Sequence, residues 1–198
     1  MRKLLSKIWG MLVKPDETIQ EIQHESFGDT VRVFLLLSAW ISILTAFINL
    51  LGFPSNLLNS GTNPQLFAYN DIDPLLVERF GGEIWMWMAP LVFMLCLLFV
   101  PLVSVFYHLI FKLMRGVGGY WQTARFFIYA GVPVFLLGWM PLIGGTLAAF
   151  WTAAIYPLAL VRLHHFSWGK AALFVGALMG IQIGRIFLTG EWYGIPVR

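Results

Sequence analysis

The sequence predicts an all-α, polytopic membrane protein, with five transmembrane helices in a bundle preceded by an N-terminal amphipathic, cytosolic helical segment. Composition carries the first part of this prediction. Of the 198 residues, 59% are hydrophobic and 12% are charged, whereas a soluble domain carries about 25% charged residues. The mean hydropathy is +0.75, and the apolar residues fall into five segments separated by polar or turn-forming stretches. So few charges cannot cover a water-facing surface.

The five spans and their connections follow from the lengths of these segments. A hydrocarbon core about 30 Å thick needs about 20 helical residues, so the second segment, residues 84–112, can cross once but not twice. The spans are predicted at about residues 31–51, 84–112, 121–139, 143–161 and 169–188. The flanking parts are a cytosolic segment, 1–30, an exterior loop, 53–83, and an exterior tail, 191–198.

The distribution of Lys and Arg predicts the orientation. If the N-terminus is inside, ten of these residues lie at cytosolic positions and three, namely Arg79, Arg185 and Arg198, lie at exterior positions. The positive-inside rule therefore places the N-terminus inside and the C-terminus outside. The Lys and Arg residues that flank the spans account for the net charge of +3. They do not form a basic stripe, so the sequence does not indicate nucleic acid as a partner.

The N-terminal segment reads as two helices. Residues 2–14 form an amphipathic helix whose apolar side includes Leu4, Leu5, Ile8, Trp9, Met11 and Leu12. Such a helix either lies in the headgroup layer or packs on the protein's own cytosolic face. Pro15 starts a second helix, predicted to end near residues 26–28.

Polar clusters supply the candidate ligand or partner residues. Glu17, Glu21 and Glu25 are spaced to share one helical face, beside His24. They are candidates for binding a divalent cation or a basic partner; the competing interpretation is a solvated face that pairs with Arg115, Arg125 or Lys170. The sequence leaves open whether any metal binds.

Further candidates lie in or near the spans. Arg185 is the one charge well inside an apolar segment, with Gln182 three residues before it. It is either a binding or transport residue or an interface anchor. His108 lies near the cytosolic end of the second span. His164 and His165 are adjacent, so they point in different directions, which argues against a metal pair.

Small residues recur at four-residue spacing in the last two spans, where they let membrane helices approach closely. They pack helices within one subunit or form a homodimer face. The residues are Gly144, Ala148, Ala172, Gly176, Gly180 and Gly184.

Several of these features together resemble the Yip1 family. Near the N-terminus they are Trp9, the run from Lys14 to Thr18, and Ile22; further on they are Gly118-Gly119, Thr123, Tyr129-Ala130, Pro133, Trp151 and residues 163–171. The resemblance implies a five-helix bundle with a cytosolic N-terminus. Eukaryotic relatives act in vesicle trafficking and associate with Rab GTPases through longer N-terminal regions. With about 30 residues there, this chain is similar to the short prokaryotic members, which implies a prokaryotic inner membrane.

The functional expectation is a non-enzymatic integral membrane protein that organises membrane or partner proteins. The sequence contains no phosphate-binding loop, no nucleophile elbow, no paired intramembrane carboxylates and no Cys/His cluster, and the resemblance transfers no catalytic residue. No cofactor is expected. The expected partners are the lipid bilayer and either a second copy or another membrane protein. The alternative is a small transporter or channel for an ion or solute, with a polar route between helices.

Overall fold

The computed structural model describes residues 2–50, 84–140, 143–189, 191–192 and 195–196, so the predicted exterior loop, 53–83, lies outside the described residues. The helices are α1 (Arg2–Val13), α2 (Pro15–Ile22), α3 (Phe27–Leu50), α4 (Ile84–Leu113), α5 (Tyr120–Ala130), α6 (Val132–Leu137), α7 (Ile143–His164) and α8 (Trp168–Thr189). Two short strands follow, β1 (Glu191–Trp192) and β2 (Ile195–Pro196), paired antiparallel with Trp192 opposite Ile195. The sequence patterns do not predict this strand pair.

Three helices in the described part of the chain are long and apolar enough to cross a membrane. These segments are Phe27–Phe47, Ala89–Leu113 and Leu147–His164, and a shorter apolar helix covers Trp168–Ile181. The helical, membrane-spanning class predicted from composition is therefore confirmed.

The predicted third span is divided into α5 and α6. Pro133 lies in the first turn of α6, and α5 ends at Ala130, with Gly131 between the two helices. Proline has no backbone N–H, so the carbonyl one turn before it loses its helical partner. The break at Gly131 follows from this loss.

The boundary between α2 and α3 was predicted wrongly. Helix α2 ends at Ile22 rather than near residues 26–28, and α3 begins at Phe27. The hydroxyl of Ser26 accepts a hydrogen bond from the backbone N–H of Asp29 at 3.2 Å, which is the geometry of an N-cap. Glu25 therefore lies in the linker between the helices, not on a common α2 face with Glu17 and Glu21.

One hydrophobic core includes side chains from the N-terminal helices and from the later apolar helices. Met11 of α1 and Ile19 and Ile22 of α2 are fully buried. They belong to the same cluster as Val33, Leu37, Phe111, Phe126, Tyr129, Leu160 and Leu163. Burying a large apolar side chain from water contributes about 1.5–3 kcal/mol, so α1 and α2 are held against the bundle by their own apolar faces.

Helix α4 ends in a Schellman motif with a strained residue. Gly116 N donates to Phe111 O at 2.7 Å, and Arg115 N donates to Lys112 O at 2.9 Å. Arg115 occupies the position where glycine is usual, with φ of 63°, and its side chain is exposed. A side chain in this left-handed conformation costs about 1–2 kcal/mol.

Replacing Arg115 with Gly is expected to raise the thermal unfolding midpoint of the purified protein in detergent. Removing the strain stabilises the folded chain. Glycine also gives the unfolded chain more conformational freedom, which offsets part of this effect, so the free energy of unfolding rises by about 1 kcal/mol or less. Arg115→Ala is the control, because it removes the same side chain and keeps the strained Cβ. A midpoint for Arg115→Gly at or below that of Arg115→Ala would contradict the expectation.

Candidate functional site

A buried polar network, here called the Glu25 network, joins α1, the α2–α3 linker, α3 and α5. Its members are Lys7, Glu25, Thr30, Arg125 and Tyr129. The Glu25 side chain is only 2% exposed. One carboxylate oxygen forms an ion pair with the Lys7 ammonium, and the other accepts hydrogen bonds from the Tyr129 hydroxyl and, at 3.4 Å, from the Thr30 hydroxyl. A buried carboxylate needs such partners, because removal from water disfavours its charge.

Arg125 holds the backbone of the same linker. Its guanidinium donates to the carbonyl of Gln23 at 3.0 Å and to the carbonyl of Glu25. It also donates to the side-chain carbonyl of Gln122 at 3.2 Å. The last carbonyls of a helix have no partner within the helix, and here a side chain of α5 supplies donors just beyond the end of α2. Arg125 therefore fixes the linker against α5.

The network is suited to holding the N-terminal helices against the bundle. Its described members carry one negative charge, on Glu25, and two positive charges, on Lys7 and Arg125. Each cation has a defined acceptor. The network joins the N-terminal helices to the bundle through a charged contact that lies away from solvent.

A second contact joins α2 to the last turn of α7. Arg162 donates from Nε to Asp16 Oδ1 at 2.8 Å and from Nη2 to Asp16 Oδ2 at 3.0 Å. This two-pronged geometry is the preferred arrangement of guanidinium and carboxylate. The hydrogen bond from Arg162 lowers the pKa of Asp16 below its ordinary value of 3.8. Both side chains are more than 40% exposed, so solvent screens the pair.

This pair makes a small contribution to stability that depends on pH. The pKa of Asp16 is lower in the folded chain than in the unfolded chain, where it has its ordinary value of 3.8. The contribution of the pair to stability is therefore complete at a pH above 3.8. It is lost as the pH falls through the lower pKa that Asp16 has in the folded chain. Asp16→Asn is therefore expected to lower the unfolding midpoint slightly at neutral pH. The difference from wild type should shrink on acidification, and a difference that stays constant into the acid range would contradict the assignment.

A third contact links α4, α5 and α7 through the hydroxyl of Thr123. His108 Nδ1 lies 3.0 Å from Thr123 Oγ1, which lies 3.2 Å from His164 Nε2. A hydroxyl has one proton, so it can donate to only one of the two rings. His164 is fully buried, and its Nδ1 has no hydrogen-bond partner among the described residues.

The loop before α5 closes tightly over His164. A Cβ on Gly118 would lie 2.6 Å from His164 Nδ1 and 2.7 Å from Leu163 O. Val117 N donates to His164 O at 3.2 Å. Gly118 is therefore required for the loop to reach the end of α7.

The remaining polar candidates are separated. Glu17 pairs with Lys14 at 3.1 Å on the surface, and Glu21 and His24 are exposed. The predicted acidic cluster thus does not form one site, and no group of three potential metal ligands occurs among the described residues. The side chains of Gln182 and Arg185, both within α8, lie outside the described residues.

The two small-residue rows face different surroundings. Ala148 of α7 is buried within the bundle, whereas the surroundings of Gly144 lie outside the described residues. Ala172 is exposed, and no described atom lies within 4 Å of a Cβ placed on Gly176, Gly180 or Gly184. Ala148 thus packs within the subunit, whereas the α8 row has no described neighbour.

Sequence reasoning missed three partners that complete these contacts. The sequence patterns indicated no side-chain partner for Lys7, Tyr129 or Asp16, because their partners lie 18, 104 and 146 residues away along the chain. The Ser26–Asp29 spacing was the one local signal that could have removed Glu25 from α2. No local pattern indicates the long-range partner of Lys7.

The comparison with protein families decides the relationship that the motifs suggested. A model of the Yip1 domain matches residues 9–188. The chain belongs to the Yip1 family. Together with its apolar helices, this makes it an integral membrane protein. In this Yip1 domain, the Asp16–Arg162 pair and the His108–Thr123–His164 contact lie within the matched residues, while Lys7 precedes them.

Neither the comparison with curated proteins nor the comparison with solved structures gives a match. The function of this Yip1-family chain is therefore argued from its own side chains.

Proposed function

We propose that this chain is a non-enzymatic membrane protein that organises the bilayer or partner proteins through the outer face of α1. One observation carries the proposal. Leu5, Trp9 and Val13 are 53%, 66% and 57% exposed, and their spacing of four residues places them in one stripe along α1. Ile8 and Met11, on another side of the same helix, are buried in the core. Helix α1 thus packs on the bundle and still presents a second apolar face.

Helix α1 is fixed in position, which supports a presenting role. Lys7 is paired with the buried Glu25. A Cβ on Gly10 would clash with the Thr18 hydroxyl oxygen, so α1 crosses α2 at close range. An apolar stripe beside the exposed, basic Lys3 matches a helix that lies in the headgroup layer. The occupant that we propose for the stripe is the cytosolic leaflet of the bilayer.

The proposed topology has five spans in a prokaryotic inner membrane, with the N-terminus inside and the C-terminus outside. The fifth span would be α8, whose 22 residues reach about 33 Å. The broken α5–α6 segment would be the third span, and its buried Arg125 lies near the end where the N-terminal helices pack. The Lys and Arg distribution supports the same orientation.

Spin labels on α1 test the stripe. Cys96 is the single cysteine, so a Cys96→Ala background accepts one label at Trp9→Cys or at Lys3→Cys. In nanodiscs we expect the label at position 9 to be reached by oxygen and shielded from an aqueous nickel reagent, and the label at position 3 to show the reverse. Equal nickel access at both positions would contradict the proposal.

The open row on α8 is the surface that we propose for a second copy or another membrane helix. Small residues allow close approach of backbones, and nothing described in the subunit fills the row. Gly180→Leu should reduce cross-linking between copies in membranes while leaving the unfolding midpoint unchanged. Unaltered cross-linking would show that the α8 row does not form the contact between copies.

A transporter is the second candidate, and one observation favours it. Thr30, Ser38 and Ser42 are buried along α3, and Thr30 contacts Glu25. Hydroxyl groups leading from a buried carboxylate into a span could line a proton or solute route, although they also serve helix packing. Flux in reconstituted vesicles that is lost in Ser38→Ala and Ser42→Ala would support transport. Absence of flux in the wild type would favour the organising role.

A further inference from the structure

An open groove of about 650 Å³ lies between α2 and the turn that follows α7. Its polar lining comes from Gln20, Gln23 and His24 on one side and from Arg162 and His165 on the other. Helix α7 ends at His164, which is also the end of the apolar segment Leu147–His164. The groove therefore lies where a span reaches the headgroup region in the proposed topology.

The lining offers hydrogen-bond donors and no carboxylate among its described residues. It contains one guanidinium, two imidazoles and two side-chain amides. Asp16 holds Nε and Nη2 of Arg162, which orients the guanidinium and leaves Nη1 unused by that pair. Asp16 also balances the charge of Arg162 and accepts a hydrogen bond from the Gln20 amide at 3.1 Å, so the Gln23 amide and the two imidazoles must supply much of any attraction for an anion.

His165 adopts a backbone conformation that a glycine would adopt without strain. Its φ is 53°, in the left-handed region that favours glycine. The neighbouring Phe166 is buried and contacts Phe111, so the turn itself is held by another residue. The His165 side chain is exposed and lines the groove. Like Arg115 after α4, His165 follows the last residue of a helix, where a left-handed residue is common.

We propose that this groove binds a phosphoryl oxyanion, either in a phospholipid headgroup or as free phosphate. Guanidinium and imidazole donors favour such groups over neutral ligands. Arg162 and His165 approach from the α7 end, and His24 approaches from the linker between α2 and α3. The groove is separate from the outer stripe of α1. A groove that binds no phosphoryl group would therefore leave the proposed organising role untouched.

The experiment uses the full chain in nanodiscs of phosphatidylcholine, with and without phosphatidic acid. In nanodiscs of phosphatidylcholine alone, calorimetry measures the binding of inorganic phosphate. In nanodiscs that also contain phosphatidic acid, native mass spectrometry measures the retention of that lipid. The variants are His165→Gly and His24→Gln. Arg115→Gly is the matched control, because it also relieves a left-handed residue and removes a positive charge outside the groove.

We expect His165→Gly to weaken binding by about tenfold to a hundredfold, the range for losing one hydrogen bond to a charged group. Its unfolding midpoint should equal or exceed that of the wild type. His24→Gln should also weaken binding, and Arg115→Gly should bind as the wild type does. Phosphate binding in phosphatidylcholine discs indicates a soluble ligand, and retention of phosphatidic acid without phosphate binding indicates a lipid.

Three results would overturn the proposal. The first is that the wild type binds neither phosphate nor phosphatidic acid. The second is that Arg115→Gly loses as much binding as His165→Gly, which would indicate general electrostatic attraction. The third is unchanged binding in His24→Gln. This result would overturn the proposal even if His165→Gly does not fold and gives no binding data.

Discussion

Replacing Glu25 with Gln is expected to lower the free energy of unfolding by about 3–5 kcal/mol, the cost of removing one partner from a buried ion pair. The Lys7 ammonium, only 15% exposed, would lose its counter-charge, and the Tyr129 hydroxyl would lose a charged acceptor. The N-terminal helices should then detach more readily from the bundle. Denaturant unfolding in detergent and protease cleavage near Lys14 would report both effects.

Glu21→Gln is the matched control for this prediction. Glu21 lies four residues earlier and is exposed, so its loss should change stability by about 0.5 kcal/mol or less. The double variant Lys7→Met, Glu25→Gln should recover part of the loss, because the unpaired buried cation is gone. Equal effects of Glu21→Gln and Glu25→Gln would show that the network does not clamp the N-terminal helices.

Replacing Gly118 with Ala is expected to destabilise the protein by about 1–3 kcal/mol, the usual cost of overpacking. The new methyl group would lie 2.7 Å from the backbone oxygen of Leu163 and 2.6 Å from His164 Nδ1. Backbone cannot rotate away as a flexible side chain can, so the loop must move. That movement would also disturb the Thr123 hydroxyl between His108 and His164.

Gly119→Ala provides the comparison at the adjacent position. No described atom lies within 4 Å of a Cβ placed there, and Gly119 has φ of −75°, which any residue adopts. We expect its unfolding midpoint to stay close to that of the wild type. If both substitutions are tolerated equally, the close approach of the loop to His164 does not constrain the fold.

Composition and hydropathy were sufficient to predict a helical membrane protein, because these properties sum over many residues. The N-terminal motif and the later Gly, Pro and Trp positions resembled the Yip1 family, and the family model confirms that membership. Local signals located the two N-terminal helices, since Pro15 starts α2. The five-span count and the orientation stay predictions.

The acidic cluster shows where sequence reasoning failed. Regular spacing placed Glu17, Glu21 and Glu25 on one face, yet the chain leaves the helix after Ile22. The hydrogen bonds from Arg125 to the linker carbonyls come from about 100 residues away. A residue's helical face has meaning only within one helix, so the shared face ended with α2. The side-chain partner that Glu25 has on α5, Tyr129, depended on how that helix packs.

The sequence by itself determined the membrane environment, the helical class and the family of this protein, because those follow from average apolarity and from ordered local motifs. The tertiary structure alone decided which polar and charged side chains meet, and that the Lys7–Glu25 pair is buried while the Asp16–Arg162 pair is exposed. It pairs Lys7 with Glu25, Asp16 with Arg162 and His108 with His164 through Thr123. The physical reason is that a side chain's partners are chosen by helix packing, which brings together groups that no local spacing relates.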